Sequence, residues 1–188
     1  MSAPPDVPAV VARAFDASRR RGYASFCRNE TGRLLATLAA ASDGTVAEFG
    51  TGCGVGTAWL RSGARPGTRI LSAELDTELA GAAADIFAQD DRVEVVAADW
   101  STLRDRGPFS LLFLDAREPE ASGPDAVCDL VEPGGVVVLD DFTPCDSWPP
   151  LSGGRVDNLR EAWLTDERFT AVELMVACDT ATLVATKR

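Results

Sequence analysis

A glycine-rich segment directly after the first predicted strand is the strongest chemical signal in the sequence. It contains Glu48, Gly50, Gly52 and Gly54, each two residues from the next. Glycines let the backbone turn tightly and let a ligand approach without a Cβ atom in the way. The helix predicted to begin near Gly56 offers unpaired N–H groups and a positive dipole end, which favour an anionic group. The segment therefore predicts a ligand site at the carboxyl ends of the strands.

Acidic residues end the next two predicted strands, where they can bind the rest of such a ligand. Glu74 lies at the end of the second strand, at a spacing from the glycines that suits hydrogen bonds from ribose hydroxyls. Asp76 competes for this role, because strand alternation places it on the same face, but Glu74 is nearer the end of the strand. Asp99 ends the third strand and could accept a hydrogen bond from an adenine amino group, with Trp100 beside it as a stacking surface.

These residues require a framework of strands and helices, and the hydrophobic pattern predicts one. Helices are predicted near 7–20 and at 29–41, the second with Asn29 as its cap. Strands are predicted at 45–49, 69–73, 92–97, 109–114 and 136–139, and helices from about 56 and at 77–88, 121–131 and 156–165. Two last strands, 169–177 and 181–186, are separated by a link so short that they must form an antiparallel hairpin.

The order of these elements defines the fold class. Near-continuous apolar strands separated by helices indicate a parallel sheet covered on both faces. The sequence thus predicts an α/β fold, a Rossmann-like, doubly wound, mostly parallel seven-stranded sheet with a C-terminal antiparallel hairpin. The length of 188 residues suits one domain. Residues 1–44 would form a helical N-terminal cap and residues 45–188 the core, with a long loop around 148–154.

Composition restricts the chemistry. The chain has no histidine, which removes histidine-dependent triads and metal sites, and its only lysine is Lys187 near the C-terminus. Acid–base chemistry is left to carboxylates, thiols, the single tyrosine Tyr23 or bound water. The cysteines are odd in number and form no C-x-x-C pair, so neither a disulfide framework nor a zinc ribbon is indicated.

Charge and hydropathy indicate the kind of partner. A net charge of −11 disfavours nucleic acid, whose phosphates attract lysine and arginine. No apolar run approaches the roughly 18 residues of a membrane span, and residues 1–8 do not read as a signal peptide. We therefore expect a cytoplasmic protein that binds a small-molecule substrate and neither nucleic acid nor membrane.

The series Glu48-x-Gly50-x-Gly52-x-Gly54 matches the acidic-x-Gly-x-Gly-x-Gly signature of class I S-adenosylmethionine-dependent methyltransferases. The sequence resembles this class from about residue 30 to the terminal hairpin. The resemblance implies S-adenosylmethionine as cofactor, with its methionine portion on Glu48 and the glycines, its ribose on Glu74 and its adenine on Asp99. The complete set of cofactor-binding residues predicted in this way is Glu48, Gly50, Thr51, Gly52, Gly54, Thr57, Glu74, Asp99, Trp100 and Asp115.

Within the class, the sequence is similar to the small O-methyltransferases of the catechol and caffeoyl-coenzyme A type. In these, an Asp after strand four and an Asp-Asn pair after strand five bind a divalent metal. Carried over, Asp115, Asp140 and Asp141 would bind Mg²⁺ or a similar cation, which would lower the pKa of an acceptor hydroxyl. The resemblance thus implies metal-assisted O-methylation of a small hydroxylated molecule, aromatic ones included, and is compatible with a homodimer.

The sequence departs from that family in two places. Asp141 stands where the family has Asn, and the lysine that commonly follows the strand-four Asp is missing, because Ala116, Arg117 and Glu118 follow Asp115. Arginine stays protonated and is a poor general base. Three possibilities stay open: a metal alone activates the hydroxyl, a carboxylate such as Glu118 serves, or the chemistry is not retained. Asp115 and Glu118 are the candidate catalytic residues.

Other functions also stay open. One is a metal-independent methyltransferase, and another is a non-catalytic module that binds S-adenosylmethionine. A nicotinamide oxidoreductase fits poorly, because Val55 or Thr57 stands where its Gly-x-Gly-x-x-Gly fingerprint needs the third glycine. A nucleic-acid methyltransferase lacks its Asn/Asp-Pro-Pro-aromatic motif after strand four.

Two sets of aromatic and thiol residues have alternative interpretations. Tyr23, Phe26 and Cys27 precede the second predicted helix, where this class often covers its cofactor, so they form either a lid or ordinary packing. Trp148 either shapes an acceptor pocket or anchors its loop. Acceptor specificity is expected in the loops, residues 1–30 and 143–156.

Overall fold

The structure is a computed structural model that describes residues 6–116 and 122–188. Its helices are α1 (Ala9–Arg21), α2 (Asn29–Ala41), α3 (Val55–Gly63), α4 (Thr77–Phe87), α5 (Pro124–Val127) and α6 (Asn158–Thr165). Short 3-10 helices span Trp100–Arg106 and Cys128–Leu130. The strands are β1 (Val46–Phe49), β2 (Ile70–Glu74), β3 (Val93–Ala97), β4 (Phe109–Leu114), β5 (Val131–Phe142), β6 (Leu151–Ser152), β7 (Arg155–Val156), β8 (Phe169–Met175) and β9 (Ala181–Lys187).

The main sheet confirms the predicted fold class. It has seven strands in the order β3-β2-β1-β4-β5-β9-β8. Strands β1 to β5 are parallel, while β9 runs antiparallel to both β5 and β8. The chain winds outward from β1 in one direction and then from β4 in the other. Open sheets of this kind bind ligands outside the carboxyl ends of the strands at the point where the winding reverses, which here lies between β1 and β4.

Apolar side chains cover both faces of the sheet, as the near-continuous apolar strands predict. Strand β4 is fully buried, and its alternate residues belong to different clusters: Leu112 and Leu114 to one, Leu111 and Phe113 to the other. The first cluster includes Trp163 of α6. The second contains side chains of α1, α2 and α3, namely Val11, Leu35 and Trp59. The helices thus hold the sheet from two sides and fix its carboxyl edge.

The segment before the fifth strand differs from the prediction. A helix was expected over 121–131 and a strand over 136–139, but α5 covers only Pro124–Val127 and β5 already begins at Val131. Pro133-Gly134-Gly135 reads as a turn, yet β5 absorbs it at a register shift against β4. Gly134 has a φ of 83°, and a Cβ atom at Gly135 would lie 2.9 Å from the Phe109 carbonyl oxygen. These glycines therefore serve an irregular strand rather than end a helix.

Two smaller expectations also need correction. The loop around 148–154 contains a hairpin, β6–β7, whose turn residues Gly153 and Gly154 both have positive φ. Two successive residues of this kind match the turns that two-residue hairpins favour. Asn29 is the first residue of α2 rather than its cap; the cap position is Arg28, and no side chain caps the helix.

All five cysteines are free thiols. None of the helices in the described part of the chain combines the length and the hydropathy that a membrane span requires.

Candidate active site

The register of the sheet aligns the ends of four neighbouring strands. Phe49 of β1 pairs with Ala73 of β2 and Leu114 of β4, and Leu114 pairs with Leu139 of β5. The residues that follow these four positions therefore form a row along the carboxyl edge, in the order Glu74, Gly50, Asp115 and Asp140. Four of the predicted site residues are thus brought together by backbone pairing alone.

A buried polar cluster supports the glycine-rich loop from below. Glu48 is fully buried, and its Oε2 atom accepts hydrogen bonds from the hydroxyls of Ser72 (2.7 Å) and Thr57. The hydroxyls of Ser72 and Thr51 lie 2.5 Å apart. The cluster therefore ties β1, β2, the loop and α3 together. Ser72 was missed in the sequence, although a polar residue inside the apolar strand β2 is the signal that could have revealed it.

Two glycines of this segment are required by close contacts. A Cβ atom at Gly56 would overlap Glu48 Oε1, so the absence of a side chain there lets the carboxylate fit under α3. Gly50 has a φ of 102°, and a Cβ atom there would overlap the carbonyl oxygen of Asp115. The Asp115 N–H also donates to the Phe49 carbonyl oxygen at 2.9 Å. The loop after β1 and the end of β4 are therefore in direct backbone contact.

Burial raises the pKa of Glu48 to about 7, although the hydrogen bonds from Ser72 and Thr57 lower it. The unfolded chain has the ordinary value of 4.5, so the folded state binds this proton more tightly. The stability that Glu48 contributes is then present below pH 4.5 and is lost as the pH rises through about 7.

We expect the free energy of unfolding to fall by up to about 3 kcal/mol across this window because of Glu48 alone. Glu48→Gln, which stays neutral, should flatten the pH dependence, and urea unfolding at pH 5, 6, 7 and 8 measures it. Glu167→Gln, at an exposed carboxylate, is the control and should keep the wild-type slope. An unchanged slope in Glu48→Gln would contradict the assignment.

The two candidates for ribose recognition have different surroundings. Glu74 is partly buried, and its Oε2 accepts a hydrogen bond from the Gly52 N–H at 2.8 Å while its Oε1 accepts from the Asp76 N–H at 2.9 Å. The Asp76 carboxylate instead caps α4, accepting from the N–H groups of Glu78 and Leu79. Glu74 therefore faces the glycine-rich loop, whereas Asp76 starts a helix.

Asp99 and Trp100 lie at the start of the 3-10 helix that follows β3. Asp99 Oδ1 accepts from the Ser101 N–H at 2.9 Å, and hydrogen bonding to Ser101 lowers the pKa of Asp99, so it is ionised near neutral pH. The Trp100 ring centroid lies 5.1 Å from that of Phe49. One face of Trp100 thus packs on the first core cluster, beside the residue that precedes the glycine-rich loop.

Tyr23 lies against the glycine-rich loop, whereas its two neighbours pack elsewhere. A Cβ atom at Gly52 would lie within 2.8 to 3.1 Å of the Tyr23 ring and hydroxyl. Burial raises the pKa of Tyr23, and the charges of Asp115 and Glu74 raise it further, so its hydroxyl stays protonated. Phe26 packs edge-on against Phe15 of α1, and Cys27 belongs to the core. Of the three residues suggested as a lid, Tyr23 is the one that lies against the glycine-rich loop.

The three acids predicted to bind a metal do not form a ligand set. Asp140 is only 5% exposed, and its Oδ1 accepts from the hydroxyls of Thr182 (2.6 Å) and Thr31 (3.0 Å). Asp141 is exposed, with a φ of 64°. Within residues 6–116 and 122–188, no group of three His, Cys, Asp or Glu side chains is placed to hold a metal ion. Asp115, Asp140 and Asp141 therefore do not fit the cation that the resemblance implies.

Thr31 and Thr182, which hold Asp140, were missed because nothing local in the sequence links them to it. Glu118, the alternative base, lies outside the described residues.

Sequence comparison decides the family. A family model described as a methyltransferase domain matches residues 47–142, just over half of the chain. The chain belongs to this methyltransferase family. The matched range runs from β1 to the end of β5, so it contains the glycine-rich loop and the whole row of strand ends.

Among curated proteins, the methyltransferase is similar to catechol O-methyltransferase from Mycobacterium tuberculosis, with 34% identity over 119 residues. The match covers 59% of the chain and 54% of that relative. The methyltransferase therefore spans only about half the length of the curated relative that it matches.

Solved structures resemble the methyltransferase over nearly its whole length. The O-methyltransferase from Bacillus cereus, in complex with SAH, superposes with a TM-score of 0.75 at 21% identity, covering 97% of the chain and 93% of the other. The O-methyltransferase TomG from Streptomyces achromogenes, in complex with SAM, gives 0.75 at 22% identity, with coverages of 97% and 92%. At these identities the likeness establishes the fold.

A groove of about 850 Å³ lies between the loop after β5 and strand β8 of the methyltransferase. Trp148 lines it and is 64% exposed. Since so exposed a ring buries little surface, it does not anchor its loop, and the alternative, that it shapes a pocket, agrees better with the structure. Val172 and Met175 supply apolar side chains on the opposite wall.

The loop of the methyltransferase is anchored by Arg160 instead. This arginine is 1% exposed and donates from Nη2 to the Thr143 carbonyl oxygen at 2.8 Å. It also forms ion pairs with Asp157 (3.2 Å) and with Glu173 of β8 (3.0 Å), and it lies over the Phe142 ring. A single buried guanidinium therefore joins α6, β8 and the loop that follows β5.

Proposed function

We propose that this methyltransferase transfers a methyl group from S-adenosylmethionine to an oxygen atom of a small hydroxylated molecule. Aromatic hydroxyl compounds belong to this acceptor class. Family membership supports the methyl transfer, and the similarity to a catechol O-methyltransferase supports oxygen as the acceptor atom. We also propose that residues 1–188 act as one unit, with α1 and α2 as the cap. The acidic net charge favours a small molecule over nucleic acid.

The contact between Glu74 and the Gly52 N–H carries the proposal. It places a carboxylate at the end of β2 directly beside the loop that follows β1. In nucleotide-binding α/β folds, an acid at this strand end binds ribose hydroxyls. The row Glu74, Gly50, Asp115 and Asp140 then divides the edge into a cofactor side at β2 and an acceptor side at β4 and β5.

The mechanism follows from the chemistry of the residues along this edge. When bound, S-adenosylmethionine supplies an electrophilic methyl group, so the protein has to position the acceptor and take up its proton. Glu48, with Thr57 and Ser72, holds the glycine-rich loop in shape from below. Tyr23, protonated, covers the loop and excludes water. The carboxylate of Asp115 lies on the acceptor side. It accepts the proton that the acceptor oxygen loses.

Titration with S-adenosylhomocysteine tests the proposal. We expect the wild type to bind it with a micromolar dissociation constant. Glu74→Ala should weaken binding by about 10- to 100-fold, because hydrogen bonds to a charged group are worth about 1.5–3 kcal/mol. Asp76→Asn is the matched control, since the Asp76 carboxylate caps α4, and its affinity should equal that of the wild type.

Three results would contradict parts of the proposal. The absence of nucleoside binding in the wild type would overturn the cofactor assignment. Binding without methyl transfer to any compound in a panel of phenols, catechols and aliphatic alcohols would favour the non-catalytic module. If Asp76→Asn lost more affinity for S-adenosylhomocysteine than Glu74→Ala, the roles of these two acids would be reversed.

A further inference from the structure

We propose that methyl transfer at this site needs no divalent cation, and that the acceptor is bound through one nucleophilic oxygen rather than through vicinal hydroxyls. The inference deepens the proposed function and rests on it. Its basis is the placement of carboxylates and hydroxyls at the ends of β4 and β5.

The Asp140 carboxylate is already used inside the protein. Its Oδ1 atom accepts two hydrogen bonds, from Thr31 on α2 and Thr182 on β9, and both threonines are fully buried. Its Oδ2 atom is buried and has no hydrogen-bond partner. A hard cation needs a carboxylate oxygen that faces an open space shared with water and substrate. Neither oxygen of Asp140 is placed in that way.

Asp141 lies on the other side of the chain from Asp140. Its left-handed backbone conformation coincides with an interruption of the pairing between β5 and β9, which resumes at Phe142. One carboxylate of the pair is consequently enclosed and the other is in solvent. Within the described residues no third His, Cys, Asp or Glu side chain joins these two in a ligand set, so the adjacent acids that suggest a cation in the sequence do not form a site in the fold.

The structure offers a packing role for Asp140 instead. Thr31, Asp140 and Thr182 join the first turn of α2 to two adjacent strands, β5 and β9, beneath the acceptor side of the edge. The two hydrogen bonds to Asp140 Oδ1 link three buried side chains and so fix the relative position of these elements. The cluster therefore connects α2, β5 and β9 directly, without a bridging cation.

A site that uses no divalent cation restricts the choice of acceptor. The only lysine, Lys187, donates to the carbonyl oxygens of Cys128 and Val131 at the opposite end of β5, so it cannot act as a base at this edge. A divalent cation would chelate two neighbouring substrate oxygens and acidify one of them. Without it, a second hydroxyl adds no chelation, and the acceptor oxygen has to be acidic by itself, as in a phenol.

The transfer is balanced without a further reactant. A lone pair of the acceptor oxygen forms the new bond to the methyl carbon while the bond from that carbon to sulfur breaks. The electron pair of the broken bond stays on sulfur, which becomes the neutral thioether of S-adenosylhomocysteine. The acceptor's proton passes to the Asp115 carboxylate and from there to water.

The test uses the purified full chain after EDTA treatment. Titration with Mn²⁺, followed by electron paramagnetic resonance, should show no saturable binding below millimolar concentration. Methylation of a phenol should change by less than about twofold between EDTA and excess Mg²⁺, because no step depends on a Lewis acid. Catechol should be methylated at about twice the rate of phenol at most, since it carries two equivalent oxygens and gains nothing from chelation.

Variants at the two adjacent acids separate a cation site from the packing role. Asp141→Asn, at an exposed position where asparagine tolerates the backbone, should leave Mn²⁺ titration and activity unchanged. Asp140→Asn should lower thermal stability without changing the Mn²⁺ titration. Micromolar Mn²⁺ binding that either variant weakens would overturn the inference. So would activity that EDTA removes and Mg²⁺ restores.

The same measurements distinguish this inference from the proposed function. If S-adenosylhomocysteine binds but no acceptor is methylated, the proposed function fails, and the Mn²⁺ titration still decides whether the acids hold a cation. If methylation occurs only with Mg²⁺, the proposed function stands and the cation-independent mechanism fails.

Discussion

Gly63→Ala is expected to lower the free energy of unfolding by about 4 kcal/mol. Gly63 ends α3, and a Cβ atom there would overlap the carbonyl oxygen and the Cα atom of Ala36 in α2. Because both atoms belong to backbone, no side-chain rotation can relieve the overlap and the two helices must separate. Urea unfolding measures the loss.

A matched substitution at another helical glycine controls this prediction. Gly81 lies in α4, and a Cβ atom there would meet nothing within 4 Å. Gly81→Ala should therefore raise the free energy of unfolding by up to about 1 kcal/mol, the difference in helix propensity between the two residues. Equal stability of Gly63→Ala and the wild type would show that α2 and α3 do not approach as closely as described.

Gly50→Ala is expected to weaken S-adenosylhomocysteine binding more than 100-fold and to cost about 4 kcal/mol of stability, because backbone strain and overpacking add. The φ of 102° is unfavourable for any residue with a side chain, and the new Cβ atom would overlap the Asp115 carbonyl oxygen. The loop after β1 must then shift away from β4, which disrupts the edge where the cofactor is proposed to bind. Isothermal titration and urea unfolding measure the two effects.

Gly154→Ala measures the cost of a positive φ in the absence of a close contact such as the one between Gly50 and Asp115. Gly154 also has a positive φ, 77°, but a Cβ atom there would meet nothing within 4 Å. We expect a loss of about 1 kcal/mol from the left-handed conformation alone, and no change in nucleoside affinity. If both variants bound the nucleoside as the wild type does, the contact between Gly50 and Asp115 would have no role in the site.

The fold and the cofactor edge were predictable because their signals are local. The apolar run of β4 and the short link before β9 identify a parallel sheet with a terminal hairpin. The order of strand ends then places Gly50, Glu74 and Asp115 at one edge. Glu74 was preferred to Asp76 because it is nearer the end of the strand, although both lie on one face in the sequence pattern. The role of Asp76 depends on where α4 begins, and Asp76 is the cap of that helix.

The surroundings of Asp140 were not predictable, because its contacts link distant parts of the chain. Thr31 and Asp140 are 109 residues apart, and Thr182 follows Asp140 by another 42. The residues themselves match the family's metal ligands closely enough to suggest a cation. Only the packing of α2 against β5 and β9 shows that Asp140 has other partners. Resemblance to a family therefore predicts which side chain stands at a position, but not which side chains surround it.

Arg160 has a consequence for how this enzyme can change in evolution. Its guanidinium joins the loop after β5 to α6 and β8, and one of its partners, Glu173, also lines the groove. Trp148 and Met175, which line the groove, are exposed and take no part in this junction. Substitutions can accumulate on the groove walls while the junction keeps the walls in place. Changes at Trp148 or Met175 would therefore alter the surface of the groove without loosening its walls, whereas loss of Arg160 or Glu173 would release the loop after β5 from β8.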